Sequence, residues 1–277
     1  GDSNDEDHWN RNGVYIKLQR NRFGLALDYK SEAGRAILLE LVACADVIVE
    51  NFSSQAMTAM GLSYEELSAA NPAIIYVTMP GYGSTGPYSH RVAFGTVIES
   101  MSALTSMMGY SAEEPYNSAQ ALPDAMGGVH TVAAITNALA RRQHTSQGER
   151  IEISLHEAGV TMSGPWLAAE QLGEQPRSIG NAHPQMAPHG IYPCAGDDNW
   201  LALACEDDSQ WQSLCRLVDG EGSERCGWDL MKRQNFAKDL DQLIANWKMA
   251  RTKESATGTL QAHGIPAGPV NNAPEML

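Results

Sequence analysis

The sequence has no long hydrophobic run, no basic tract and no paired-cysteine motif, and each absence removes a class of function. No apolar stretch approaches the roughly 20 residues that cross a bilayer, and Gly1 to Asn12 is polar and acidic, unlike a secretory signal. Lysine and arginine total 19 against 33 aspartates and glutamates, a net charge of −14. With no cluster of cations to neutralise phosphates, nucleic-acid binding is not expected, and the acidity is read as solubility. The cysteines, Cys44, Cys194, Cys205, Cys215 and Cys226, are odd in number and include no CxxC pair. They read as reduced thiols of a cytoplasmic protein, implying neither a disulfide framework nor zinc. The eight histidines make no HExxH pattern, so no metal is expected. Internal repeats and low-complexity tracts are also missing.

What is present is a chain of 277 residues with 43% apolar content, enough core for one or two domains. Arg22 to Leu27 reads as a short strand. Ser31 can cap a helix whose apolar residues run from Ala36 to Ala43, and Ala45 to Phe52 has the pattern of a buried strand. Ser63 and Glu66 form a capping box for a helix that Asn71-Pro72 stops, and Ala73 to Thr78 is a second β-branched run. Alternation of this kind predicts βαβ units and a mostly parallel sheet, with ligands beyond the carboxyl ends of the strands. Asn51-Phe52 and Gly81-Tyr82-Gly83 fall at such ends.

Ala93 to Met108 has a helical pattern rich in Ala, Ser and Met, and a helix from Leu155 to about Leu172 closes a large domain over residues 1–172. Residues 173–189, with three prolines, read as a linker. A smaller α+β domain over 190–277 begins with a hairpin around Gly196-Asp197-Asp198-Asn199. Its helices are predicted at about Asp208–Val218, Phe236–Lys248 and Thr252–His263, and Ile265 to Val270 is extended.

The stretch that stands out is Gln120 to Gly128. Asp124 opens a long segment whose apolar residues Val129, Val132, Ala133, Ile135, Leu139 and Ala140 share a helical face, with Arg141 and Arg142 at the far end. A helix N-terminus favours an ionised carboxylate. Asp124 is therefore either an N-cap alone or a carboxylate held for chemistry.

Four stretches together resemble the class III coenzyme A transferases, a family that includes the α-methylacyl-CoA racemases. They are Ala45 to Phe52; Pro80 to Gly83 with Gly86-Pro87-Tyr88; Leu122-Pro123-Asp124 with Gly127-Gly128; and Arg141-Arg142 through Gly148 to Leu155. Gly180-Asn181, Ala187-Pro188 and Ile265 to Val270 carry the likeness into the second region. The resemblance implies an α/β fold, with an incomplete Rossmann-like parallel-sheet large domain and a smaller α+β domain. It implies an acyl-CoA and a carboxylic acid acceptor as substrates, coenzyme A carried as acyl-CoA, no metal, no nucleic acid, no membrane, and a homodimer of interlocked chains. Asp124 matches the family's catalytic aspartate, which passes through an aspartyl–acyl anhydride and an aspartyl-CoA thioester. Leu27, Lys30, Asn51 and Phe52 resemble residues that hold coenzyme A, with a solvated lysine and an ordinary strand end as the other readings of Lys30 and Asn51-Phe52. Gly81 and Tyr82 resemble residues near the acyl group, with a plain turn tyrosine as the other reading of Tyr82. Gly127 and Gly128, with Ala125, are small neighbours expected to leave amides free for a developing oxyanion.

The family's chains also carry a strand and nucleotide-binding loop upstream of the position of Gly1, and continue past that of Leu277. Ala59 stands where some members carry an arginine. The racemases place a histidine shortly before the aspartate, whereas this chain reads Ala103-Leu104-Thr105-Ser106-Met107-Met108-Gly109. Transfer is therefore favoured over racemisation or epimerisation. His130 lies too near Asp124 along one helix to face it across a substrate, and Glu206 is a surface acid or a visitor to the pocket. A third reading is a non-catalytic remnant of the fold that only oligomerises.

Overall fold

The computed structural model describes residues 8–118, 120–248 and 250–276. In chain order the first helices are α1 (Gly13–Leu18), α2 (Glu32–Cys44), α3 (Ala56–Ala59), α4 (Tyr64–Ala70), α5 (Gly95–Met101), α6 (Leu104–Met107) and α7 (Leu122–Thr145). They are followed by α8 (Leu155–Met162), α9 (Gly164–Gln171), α10 (Asp208–Asp219), α11 (Leu230–Asn235), α12 (Ala237–Lys248) and α13 (Lys253–Ala262). The strands are β1 (Val47–Glu50), β2 (Ile75–Thr78), β3 (Gly109–Ser111), β4 (Glu114–Pro115), β5 (Glu149–Glu152), β6 (His189–Pro193), β7 (Trp200–Ala204) and β8 (Ala267–Val270). Two compact units divide the chain: one runs to Val92 and includes Met126–Leu155, the other comprises Ala93–Ala125 and everything from His156.

The first unit is built on a parallel sheet in the order β1-β2-β5, with Glu50 opposite Thr78 and Thr78 opposite Glu152. All four residues of the central strand β2 are buried, as a parallel strand covered on both faces requires. Alternation along it separates two cores: Tyr76 joins Val42, Leu62 and Leu67, while Ile75 and Val77 join Ala138 of α7. The helix signals are realised at the atoms. Ser31 Oγ accepts from Gly34 N at 3.1 Å, and Ser63 and Glu66 make both bonds of a capping box. At the far end of α7, Arg142 donates to Asp46 Oδ1 at 2.6 Å and to the Ala73 carbonyl at 3.0 Å, and Arg141 pairs with Glu149. The last turn of the helix is thus tied to the amino ends of β1, β2 and β5.

The second unit carries an antiparallel sheet in the order β6-β7-β8, backed by a core of Trp211, Leu214, Leu240, Ile244 and Leu260. Asp207 caps α10 and Thr252 caps α13. Arg233 is 1% exposed and is neutralised there by Asp208 at 2.7 Å, with the carbonyls of Ala187 and Trp228 accepting from its Nε and Nη1.

The α/β class, the parallel sheet and the hairpin match expectation, but three elements differ. Residues 22–28 form no strand, because no described neighbour pairs with them, and Phe23 and Leu25 are exposed. The helix expected over 93–108 is two, α5 and α6, broken where Ala103 adopts a positive φ of 67°. The helix expected over 155–172 breaks at Ser163, whose hydroxyl donates to the Ser102 carbonyl at 2.6 Å, with Pro165 in the first turn beyond it. Among the described residues no helix is long and apolar enough to cross a membrane, and no group of three His, Cys, Asp or Glu is placed to hold a metal.

Candidate active site

Asp124 belongs to the second unit, whereas Leu27, Lys30, Asn51, Phe52, Gly81 and Tyr82 belong to the first.

Ala121 precedes α7 with φ of 49°, and the helix then starts at Leu122 with Pro123 in its first turn, the position a proline tolerates. Asp124 is the third helical residue, not the N-cap, and its amide bonds the Ala121 carbonyl at 3.0 Å. Its carboxylate packs directly against Gly95, the first residue of α5. A Cβ at position 95 would collide with Asp124 Oδ2 and would lie 2.6 Å from Ala121 Cβ and 2.7 Å from Asp124 Cγ. No hydrogen-bond donor among the described residues reaches the carboxylate. The side chain keeps one side open to solvent, and burial of the other raises its acidity constant above the usual carboxylate range. This corrects the expectation that the helix end would favour the anion: desolvation against α5 outweighs the field of the helix terminus.

Gly127 and Gly128 also depart from expectation. Both lie beyond the first turn of α7, where amides are spent in the helical ladder and are not free for an oxyanion. Gly127 instead allows close packing, since a Cβ there would collide with Leu155 and lie 3.5 Å from Met79. Gly128 meets nothing within 4 Å and leaves open space beside the helix.

In the first unit the strand-end residues form a connected rim. Phe52 N donates to Glu50 Oε2 at 2.7 Å, and Tyr76 donates its hydroxyl to Glu50 Oε1 at 3.0 Å. Burial and the Glu50 carboxylate together push the Tyr76 phenol well above its ordinary range. Tyr82 packs edge-on against Tyr88 with centroids 5.6 Å apart, and Arg91 lies 4.3 Å over the Tyr88 ring. The loop carrying Gly81 and Tyr82 is held from both sides. Ser84 donates to Glu152 through its amide at 2.8 Å and through its hydroxyl, while Ser54 Oγ donates to the Ser89 carbonyl at 2.7 Å. Asn51 and Phe52 are exposed at the end of β1. Leu27 and Lys30 flank a turn in which Lys30 N donates to Asp28 Oδ1 at 3.2 Å, leaving the Lys30 side chain exposed.

Of the other candidates, Glu206 is exposed, His130 is half-buried on α7, and Ala59 ends α3. Cavities of about 360, 450 and 300 Å³ surround residues 179–191 of the second unit, and Asp124 lines none of these three. Sequence reading missed Gly95, Glu99 and Ser118. The available signal was a lone acid, Glu99, one helical turn after a glycine in an otherwise uncharged run.

Two predictions follow from the packing of Asp124. Gly95→Ala is expected to displace the carboxylate and cost about 1–3 kcal/mol in a denaturant titration; an unchanged midpoint would show that position 95 has room. The pH dependence follows from the raised acidity constant. Folded Asp124 holds its proton more tightly than the unfolded chain does, so its contribution to stability is complete below the unfolded value of about 3.9 and is lost as pH rises through the higher folded value. The stability of Asp124→Asn minus that of the wild type should therefore rise across that window, and denaturant midpoints measured from pH 3 to 8 would refute this if that signed difference fell with rising pH.

The chain is similar to known proteins over most of its length. The chain is 29% identical over 273 residues to the succinate–glutarate CoA-transferase of Agrobacterium fabrum, covering 95% of this chain and 66% of that protein. It is 30% identical over 265 residues to the acetyl-CoA:oxalate CoA-transferase of Acetobacter aceti, covering 93% and 67%. The chain thus spans about two thirds of the length of these relatives. A crystal structure of a CAIB/BAIF family protein from Brucella suis superposes with a TM-score of 0.83 at 30% identity, covering 90% of this chain and 66% of that one. The model of CoA-transferase family III matches residues 3–277, and the chain belongs to that family.

Proposed function

We propose that this protein moves coenzyme A from an acyl-CoA to a carboxylic acid, with Asp124 as the nucleophile. The observation that carries the reading is a carboxylate shielded on one side by Gly95, open on the other, and hydrogen-bonded to no described residue, in a chain of this family. No donor among the described residues takes up its lone pairs. Desolvation keeps it more basic than a carboxylate in water, and proximity to a bound thioester supplies the remainder of the advantage.

The steps balance without an external acid or base. An Asp124 oxygen attacks the thioester carbonyl, the C–S bond breaks, and the thiolate of coenzyme A leaves an aspartyl–acyl anhydride. That thiolate attacks Asp124 Cγ, forming the aspartyl-CoA thioester and releasing the donor acid as its carboxylate. The acceptor carboxylate attacks Cγ and expels the thiolate, giving a second anhydride. The thiolate then attacks the acceptor's acyl carbon, forming the new acyl-CoA and restoring the Asp124 carboxylate.

Leu27, Lys30, Asn51 and Phe52 are proposed to hold coenzyme A. In this reading the Lys30 ammonium is open to a phosphate and the Phe52 ring offers an apolar surface to the pantetheine arm. Gly81 and Tyr82 are proposed for the acyl side, with the open space beside Gly128 for its passage along α7, while Gly127 serves by letting Leu155 pack against the helix. No step requires a metal. The proposed compartment is the cytoplasm, in keeping with five cysteines among which no disulfide is made.

Asp124→Ala is expected to lower acyl transfer at least about a thousandfold, as loss of a nucleophile does, while coenzyme A still binds in calorimetry. Hydroxylamine should trap an acyl-aspartate on the wild type, located at Asp124 by mass spectrometry. Normal turnover in the variant would remove Asp124 from the reaction.

We also propose a homodimer, with the chains interlocked. Between Asp124 and Arg141 helix α7 carries no charged residue, and Val129 and Val132 are 61% and 65% exposed on it. An apolar helix face left in water is a surface for association. Val132→Lys is expected to shift sedimentation from dimer to monomer; a wild type that sediments as a monomer at micromolar concentration would overturn this.

A further inference from the structure

The second unit contains a buried acid that the proposed reaction does not use. Glu99 lies on α5 one turn after Gly95, so the two residues share a helix face, yet Glu99 is 0% exposed. Its two oxygens accept from one residue: Oε1 from Ser118 N at 2.6 Å and Oε2 from Ser118 Oγ at 2.7 Å. Ser118 Oγ in turn accepts from Gln120 N at 3.1 Å, and the neighbouring Asn117 donates its side-chain amide to the Thr96 carbonyl of α5 at 3.1 Å. Next come Ala121 with its positive φ and Asp124, whose amide closes back on the Ala121 carbonyl. The segment that launches α7 is therefore fastened to the helix whose first residue abuts the Asp124 carboxylate.

A second support meets the same segment from α8. A Cβ at Gly159 would lie 2.9 Å from Ser102 Cβ and 3.2 Å from Pro123 Cγ, so α8 packs closely on both the end of α5 and the first turn of α7. Ser102 donates its hydroxyl to the Glu99 carbonyl at 3.1 Å, and its own carbonyl accepts from Ser163 Oγ at 2.6 Å. Helix α5 is thus held at its end and can serve as a fixed base.

We propose that Glu99 is a positioning residue for Asp124: through Ser118 it fixes the start of α7, and with it the point from which the Asp124 carboxylate meets an acyl group. The proposal rests on Asp124 being the nucleophile. A carboxylate suits the task because it accepts from two donors at once, in charge-assisted bonds stronger than neutral ones. Burying an anion is costly, and a segment that needed only to be covered would be served by an apolar side chain. What the acid adds is direction, since both bonds converge on a single residue six positions before Asp124.

The test uses the full chain with Glu99→Ala, Glu99→Gln, Ser118→Ala and the Glu99→Ala/Ser118→Ala double variant. Glu99→Ala and Ser118→Ala are each expected to lower kcat for acyl transfer about 10- to 100-fold, the scale of a small misplacement of a reacting group, with KM for acyl-CoA within about threefold. The double variant should be no slower than the slower single one, because both break one linkage. Glu99→Gln, which can still accept from the amide, should recover most of the rate. Independently of turnover, carboxyl-carbon NMR, with Asp124→Asn used for assignment, should show the Asp124 titration moving down towards an ordinary aspartate in Glu99→Ala and Ser118→Ala.

Multiplicative losses in the double variant, or an Asp124 titration unmoved in folded Ser118→Ala, would overturn the proposal. If Glu99→Ala fails to fold, Ser118→Ala and Glu99→Gln decide it by the same readouts. If the wild type transfers no acyl group from any donor, the nucleophile reading fails, while the titration still reports whether Glu99 sets the position of Asp124.

Discussion

Asp124 sits where it does because position 95 has no side chain. The carboxylate lies against the backbone at the start of α5, in a space that a single methyl group would close. That contact decides its electrostatics. A carboxylate in the first turn of a helix is ordinarily favoured as the anion, through free amides and the aligned peptide dipoles. Here packing removes water from one side while no described donor replaces it, and the acidity constant moves upward. The group remains a stronger base than a fully solvated carboxylate.

Helix α7 is held at its two ends by different means. Its last turn carries Arg141 and Arg142, which bind Glu149, Asp46 and the Ala73 carbonyl at the amino ends of the parallel strands. Cations near a helix C-terminus also complement its dipole. Before its first turn lie the Ser118 bonds to Glu99, and Pro123 in that turn comes close to Gly159. Between these anchors the outward face is small and apolar, with Gly128 open and Val129 and Val132 exposed.

Elements whose determinants are local were legible in the sequence. Ser31, the Ser63–Glu66 box and Thr252 cap helices as read, and the β-branched runs ending at Glu50 and Thr78 pair in parallel. Failures came where a distant group overrides local pattern. Arg22 to Leu27 has strand composition but no partner strand among the described residues. The breaks after Met101 and at Ser163 answer to each other through the Ser163–Ser102 hydrogen bond, 61 residues apart in sequence. Asp124 was found from its own neighbourhood. Gly95 was not, because its requirement for glycine arises from a residue 29 positions away.

The chemistry of exchange between a thioester and a carboxylate clarifies why so bare a site is adequate. Each step exchanges one acyl–oxygen or acyl–sulfur bond for another, and the leaving group is always an anion that needs no proton. A general acid or base beside Asp124 would be superfluous, and a strong donor would lower its nucleophilicity. Racemisation at the α-carbon makes the opposite demand: two bases on opposite faces of the substrate, each able to take and return a proton. His130 shares α7 with Asp124, six residues further on, and Ala103 to Gly109 carries no titratable side chain. A carboxylate shielded on one side, with no donor among the described residues, is poorly suited to proton shuttling and suits the repeated acylation proposed for it, in which a fixed position against α5 would matter most.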